Sequence, residues 1–367
     1  MGSVQESQCC GDAGAGHARP GDHVRLIRLD GIVKNAMEVT MKALQIKTFG
    51  KPTVAPELIE SDPPEPTPGQ VLVALEAAPI NPSDLLLIRG RYGHRPALPA
   101  ALGTEGIGRI VGVGSSVDPI RMGERVLILP TLAHGTWQDQ IAIDESDALP
   151  VDPAADALQL AMLGVNPLTA DLLLRGFVDL PPGAWVGQTG ANSAVGRYVI
   201  ALAKRAGVRT LNVVRRPEIA AELLESGADA VVVSGPDLDE QVRKALGDER
   251  LSLLLDPIAG DVIGELAPWM VHGGTLVSYG GMSGAPVVVA PADIIFRDLH
   301  VRGFWQKHWV DTTPRDEMAA AYAPLAALVA NGTLRAPVAA TYPLEQYQDA
   351  LAHATKTEGA GKVLFAW

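Results

Sequence analysis

From Met41 the chain reads MKALQI, an alternation of apolar and polar positions that predicts a half-buried strand. The stretch Ser61-Asp-Pro-Pro-Glu-Pro-Thr-Pro-Gly69 predicts an extended strap, because prolines this dense remove backbone donors and forbid helix. A strand from Val71 to Ala77 follows. Short apolar runs punctuated by glycine and proline, IGRIVGVG, RVLILP and WQDQIAI, then carry the chain to about residue 150 and predict an irregular, barrel-like β domain.

After residue 165 the period changes. WVGQ, VGRYVIALAKRAG, TLNVV, PEIAAELLESG, AVVV, DEQVRKALG and SLLLDP alternate strand and helix patterns, a βαβαβ run. GGTLVSYGG and HVRGFW complete an expected six-stranded parallel sheet, so residues 165–310 read as a Rossmann-type dinucleotide domain. A helix is expected from Thr313-Pro314-Arg315-Asp316, with Thr313 as its cap, to Gly332, and a last strand, KVLFAW, near residue 362. Residues 311–367 are expected to rejoin residues 41–164. The class is therefore α/β, a β-barrel-like domain interrupted by a Rossmann domain. Residues 1–40 show no period and read as a dispensable leader, with Met41 as the natural start.

A chain of 367 residues exceeds what one core usually organises, in keeping with two domains. The net charge of -12 repels phosphate backbones and anionic membranes, so neither nucleic acid nor a membrane is an expected partner, and an anionic ligand needs a local basic patch. The cysteines, Cys9 and Cys10, sit together in the leader, which excludes a disulfide framework and a structural zinc site. No metal is expected. No apolar run reaches the length of a membrane span and no apolar signal core opens the chain, so a cytoplasmic location is expected.

VGQTGANSAVGR, from Val186 to Arg197, places a turn of small residues between a strand and an apolar helix. There the backbone can approach a pyrophosphate held at the helix N-terminus; a tight packing turn is the plainer alternative. Its spacing is Gly190-x-x-Ser193-x-x-Gly196, with a serine in place of the usual middle glycine, its hydroxyl able to touch phosphate or ribose. The next strand ends in Arg215-Arg216, where an NAD-dependent protein would carry an acid against the ribose 2′-hydroxyl. Two guanidiniums suit a 2′-phosphate instead, which makes NADPH the expected cofactor. The alternative is a solvated charge pair at a helix start.

The split order of domains resembles the medium-chain dehydrogenase/reductase superfamily over residues 41–367, whose first domain is GroES-like. Where its zinc enzymes carry Gly-His-Glu, this chain has Gly103-Thr104-Glu105, so it is similar to the zinc-independent branch. Within that branch, INPSD (80–84), RGRYG (89–93), GVNPLTA (164–170), ANSAVG (191–196), NVVR (212–215), YGGM (279–282) and GFW (303–305) resemble the trans-2-enoyl-thioester reductases. The resemblance implies that Asn166, Gly190, Asn192, Ser193, Ala194, Val195, Gly196, Arg215, Arg216, Tyr279, Gly280, Gly281, Met282, Phe304, Trp305 and Lys362 surround NADPH, that Tyr92 is the proton donor, and that the protein is a homodimer. The segment VVRRPE is one residue shorter than the family's Arg-x-Arg-Pro arrangement, and Ala194 stands where glycine is common.

Reducing an activated double bond needs hydride at the β-carbon, a proton at the α-carbon and hydrogen bonds to the developing enolate. A phenol keeps its proton at neutral pH, so Tyr92 suits the acid; it could equally cover a domain cleft. His94 and Arg95 are candidates for binding substrate phosphate or orienting Tyr92, or simply hydrate a loop. Asn81 and Asp84 are expected to brace the turn behind that loop. Trp305, Lys307, His308 and Trp309 follow the sixth strand, where such sheets present their ligand crevice. Trp309 could line a substrate pocket or pack between domains. The expected substrate is a small molecule: an enoyl thioester or an enone in an enoyl reductase, or a quinone in an NADPH:quinone reductase. A non-catalytic NADPH-binding protein is the reading from another class.

Overall fold

The computed structural model of the chain describes residues 40–356 and 361–367. The proposed leader, with Cys9 and Cys10, lies outside the described residues apart from Thr40.

Six parallel strands form one sheet, in the order Ala230–Val233, Arg209–Val214, Trp185–Gln188, Leu251–Asp256, Met270–Ser278 and His300–Gly303. Trp185–Gln188 lies between Arg209–Val214 and Leu251–Asp256, so strand order reverses at its carboxyl end and opens the crevice where such sheets hold ligands. Both faces are covered, which is why the strands read as nearly continuous apolar runs. On one face Val186, Leu253, Leu255 and Val277 are buried with Tyr198, Val199 and Ala203 of the helix Ala194–Arg205 and Leu168 and Leu173 of the helix Asn166–Arg175. On the other, Leu211, Val213, Leu254 and Leu276 are buried with Leu238, Val242 and Leu246 of the helix Leu238–Leu246. Each such side chain contributes about 1.5–3 kcal/mol of transfer free energy.

The second large sheet runs Val338–Tyr342, Lys362–Ala366, Gln70–Pro79, Gly106–Val113, Arg125–Ile128 and Ala148–Pro150, with Gln140–Asp144 paired beside Gln70–Pro79. Residues near the end of the chain thus pair with the first β segments. The pairing matters for the site: Leu364 faces Pro79 in an antiparallel register, and Ile80 N–H donates to Val363 O at 2.9 Å. Continuing that register by two residues sets Lys362 opposite Asn81.

Two local expectations are corrected. Thr313 does not cap the long helix, Arg315–Ala330; its N-cap is Pro314, and Thr313 instead closes the helix Gln306–Thr312 by donating its backbone N–H to Trp309 O. The residues after the sixth strand are already helical, so Thr313 ends that helix and the long one begins after it. The strand itself ends at Gly303, and Phe304 and Trp305 leave the sheet.

Candidate active site

The turn after Trp185–Gln188 is shaped by backbone demands that its small residues meet. Gly190 has φ +57°, and a Cβ there would lie 3.1 Å from Ile258 Cδ1; a Cβ on Gly196 would lie 2.5 Å from Ala191 O. Ser193 is the N-cap of Ala194–Arg205: its Oγ accepts from Gly196 N–H at 3.1 Å, so the serine in the middle position serves its own helix first. The Ala194 and Val195 amides open at the helix end, where the dipole favours an anion. Asn192 is held through its carbonyl, which accepts from Arg197 Nε at 3.2 Å, while Arg197 Nη1 pairs with Glu222 at 2.7 Å.

The carboxyl ends of neighbouring strands converge on this turn. Thr189 N–H donates to Leu255 O, Tyr279 N–H to Asp256 O, Met282 N–H to Pro257 O and Phe304 N–H to Ser278 O, each at 2.9 to 3.1 Å. Asp256 is fully buried and organises the floor, accepting from Thr189 Oγ1 at 2.5 Å and from Ile258 and Ala259 N–H. Gly280, Gly281 and Met282 are exposed, and Tyr279 presents a buried hydroxyl without a partner among the described residues. Burial drives that phenol well above its ordinary pKa, with the Asp256 charge adding to the rise. Arg215 is exposed and Arg216 half-buried directly after the second strand, with Glu218 3.9 Å from Arg216. Glycine clearances, open amides, an orphan hydroxyl and two guanidiniums together fit a dinucleotide with an extra phosphate.

Tyr92 faces this crevice from the other sheet's domain. Its hydroxyl accepts the Trp305 indole N–H at 2.9 Å, and the two rings meet edge-on, 6.0 Å apart and 78° inclined. Burial raises the Tyr92 pKa, so the phenol stays protonated across the neutral range. Phe304 is half-buried, edge-on to Phe177 at 6.3 Å.

Behind the crevice lies a buried polar cluster. Asn81 Nδ2 donates to Glu105 Oε1 at 2.8 Å, and Asn81 Oδ1 accepts from Lys362 Nζ and from Asn166 Nδ2, the latter at 3.3 Å. Glu105 Oε2 accepts from Val165 N–H at 2.7 Å. Asp84, one turn along the helix Pro82–Ile88, takes Asn81 N–H at 2.7 Å and the Thr104 hydroxyl. Burial pushes Asp84 up to about 6 and Glu105 up to about 7, against the pull of Lys362. Burial also lowers Lys362, while Glu105 and Asp84 hold it up.

The structure thus brings Asn81, Asn166 and Lys362 together in a buried network. Arg95 is likewise engaged within its loop, donating from Nε and Nη2 to Gly90 O at 2.9 and 2.6 Å over the Phe49 ring. His94 is half-buried in the same loop. Trp309 borders an open groove of about 500 Å³ with Asp171, Arg175 and Glu317, whose walls include no other candidate residue. Glu105, Asp256 and Arg197 were missed. Glu105 stood in view in Gly103-Thr104-Glu105, read only for the histidine it lacks. Among the described residues, no group of three or more His, Cys, Asp or Glu side chains is placed to hold a metal ion, and no helix is long and apolar enough to cross a membrane.

Comparison with known proteins supplies the remaining findings. The alcohol dehydrogenase GroES-like domain matches residues 67–152, and the zinc-binding dehydrogenase domain matches residues 194–323. A mitochondrial enoyl-[acyl-carrier-protein] reductase of Caenorhabditis elegans is 38% identical over 318 residues, covering 84% of this chain and 87% of that one. A mutant form of enoyl thioester reductase from Candida tropicalis superposes with TM-score 0.79 at 26% identity, over 90% of this chain and all of that one. Escherichia coli quinone oxidoreductase complexed with NADPH superposes with TM-score 0.80 at 26% identity, over 89% of this chain and all of that one.

Proposed function

Because the chain belongs to the zinc-independent medium-chain dehydrogenase/reductases, in the family of the mitochondrial enoyl-[acyl-carrier-protein] reductases, we propose that it reduces the C=C bond of 2-enoyl thioesters with NADPH. The observation that carries the reading is the protonated Tyr92 hydroxyl, tied by Trp305 to the carboxyl end of the cofactor sheet. NADPH, when bound, would supply the hydride for the substrate β-carbon, being oxidised to NADP+ as it does so. Tyr92 gives its proton to the α-carbon and regains one from solvent. The Trp305 indole holds the phenol oxygen in place, so the acid does not have to be ordered at the moment of reaction.

The Gly190 to Gly196 turn and the Ala194 and Val195 amides would receive the pyrophosphate. Arg215 and Arg216 would receive the 2′-phosphate, their planar forks matching its oxygens in a chain otherwise strongly acidic. Asn166, the Tyr279 to Met282 loop, Phe304 and Lys362 complete the surroundings.

The reading includes a homodimer. His300–Gly303 is the edge of the parallel sheet and is exposed along its length. Val301 within it, and Ile295 and Phe296 of the helix Pro291–Arg297 that precedes it, are 47%, 68% and 78% exposed, an apolar rim on an unpaired edge that a second copy would cover. The expected location, the cytoplasm, belongs to the same reading and is tested by fractionating cells that make the full chain.

The deciding experiment is NADPH oxidation with crotonyl-CoA, beside a simple quinone and an enone. Preferred turnover of crotonyl-CoA is expected. Quinone turnover without reduction of crotonyl-CoA would move the protein to the quinone reductases, the reading favoured by its likeness to the Escherichia coli enzyme. Tight NADPH binding with no turnover of any of the three would make it a non-catalytic binder.

A further inference from the structure

We propose that Glu105 is a positioning residue: its carboxylate, acting through the Asn81 side-chain amide, fixes the Lys362 ammonium at the cofactor crevice. The proposal rests on the reading above in one respect, that Lys362 belongs to the surroundings of NADPH.

Glu105 is fully buried just before the strand Gly106–Val113, with the Asn166–Arg175 helix start against one carboxylate oxygen and Asn81 against the other. A carboxylate only accepts, whereas an amide has one donating and one accepting end. Glu105 therefore dictates which way Asn81 faces: Nδ2 must turn to the carboxylate, and Oδ1 is left aimed at Lys362 Nζ. The reversed amide would set oxygen against oxygen at Glu105 and nitrogen against the ammonium at Lys362. Asn166 Nδ2 reaches both oxygens, Asn81 Oδ1 at 3.3 Å and Glu105 Oε1 at 3.4 Å, so one carboxylate orders two amides and an amine. Asp84 cannot substitute, because its two oxygens are engaged by Asn81 N–H and the Thr104 hydroxyl.

The charges facing Glu105 come from four elements: Asp84 from Pro82–Ile88, Lys362 from Lys362–Ala366, Tyr198 from Ala194–Arg205 and Tyr322 from Arg315–Ala330. Burial of both tyrosines, with the Glu105 charge beside them, pushes their phenols up, so they stay neutral; once the pH is above the value of about 7 to which burial lifts Glu105, the ionic balance is two carboxylates against one ammonium. Burial favours neutral Lys362, and Glu105 is the first of the two anions that oppose this. Neutralising Glu105 lets the Lys362 pKa fall further, so the ammonium is lost at lower pH than in the native protein.

The test is the dissociation constant of NADPH, followed by its fluorescence from about pH 8 to 10, above the value of about 7 to which burial lifts Glu105 and leading up to the ordinary lysine value. In the native protein, binding weakens as Lys362 loses its proton. Glu105→Gln should start that weakening about one pH unit lower, a tenfold change in proton affinity. Asn81→Leu, which breaks the relay and removes the Lys362 acceptor but leaves the Glu105 charge in place, should shift the onset the same way by a smaller amount, and the double variant should shift it by less than the sum of the two. Should Glu105→Gln fail to fold, Asn81→Leu decides alone. A native pH profile in the variants, a loss of equal size at every pH, or additive losses would each overturn the proposal. The readout involves no substrate. A shifted profile in a protein that does not reduce crotonyl-CoA would keep the role of Glu105 and reject the enoyl reductase reading, and turnover with an unshifted profile would do the opposite.

Discussion

Trp305 and Tyr92 stand 213 positions apart in the chain and share a 2.9 Å hydrogen bond, indole N–H to phenol oxygen, across the crevice between the parallel sheet and the β-rich sheet's domain. The proposed acid is thus held by a residue that follows the last strand of the parallel sheet. Tyr92→Phe, which removes the hydroxyl and with it both the transferable proton and the acceptor of the Trp305 bond, should lower kcat on crotonyl-CoA by about 100-fold or more while leaving KM within about threefold. Trp305→Phe should cost about 1 kcal/mol, or roughly fivefold in kcat/KM, the worth of one neutral hydrogen bond. Steady-state kinetics of both variants checks the pair; full turnover by Tyr92→Phe would remove the tyrosine from the chemistry.

Replacing Arg215 and Arg216 together by alanine should raise the Kd of NADPH by about 10–100-fold, as expected for charge-assisted bonds worth about 1.5–3 kcal/mol. The Kd of NADH should stay nearly constant, since it lacks the 2′-phosphate. Titration of both nucleotides by fluorescence measures the ratio, and equal losses for the two would refute 2′-phosphate recognition.

Gly190→Ala forces a side chain into a left-handed backbone and against Ile258. A loss of about 1–2 kcal/mol in unfolding free energy is expected from the backbone alone, with weaker NADPH binding as the turn shifts. Urea denaturation and the NADPH Kd report the two effects separately.

Asp147 joins the β-rich sheet to the long helix that follows the Rossmann strands: Arg315 Nε donates to it at 2.7 Å, and His134 lies 3.7 Å away. Burial works to raise this carboxyl, but His134 and the Arg315 guanidinium outweigh it and hold the pKa below the ordinary value. A lowered folded pKa gives stability that is present above the unfolded value, near 4, and is lost as pH falls through the folded one. Asp147→Asn should therefore destabilise by about 1–2 kcal/mol at neutral pH. The gap to the native protein should close as pH falls from the unfolded value through the lower folded one. Denaturation at neutral and at acid pH checks it, and a gap of equal size throughout would contradict the ionic account.

If a second copy covers the His300–Gly303 edge, Phe296→Asp should convert the dimer to monomer by placing a charge in an apolar contact. Light scattering after size exclusion distinguishes the two. An unchanged dimer would place the interface elsewhere.

Much of this molecule is written in short-range pattern. Strand and helix periods, the small residues from Gly190 to Gly196, the arginines after the second strand and the missing histidine before Glu105 are legible because each expresses a local demand: a pleat, a helical face, a positive φ, a ligand position. The start of the long helix was misread because Thr313 suits an N-cap in isolation, and only the neighbouring helix shows that this residue already closes it. The Asn81, Glu105, Asn166 and Lys362 cluster carries no such local pattern. Lys362 meets Asn81 across 281 positions because Leu364 pairs with Pro79, a register set by the sheet's apolar packing and not by either polar residue. Likewise, Arg95 turns out to brace its own loop because Phe49 and Gly90 come to it in space. The chain by itself determined the elements and the cofactor turn; tertiary structure decided which polar groups are buried together, since burial and charge pairing depend on distances that only closure of the sheets creates.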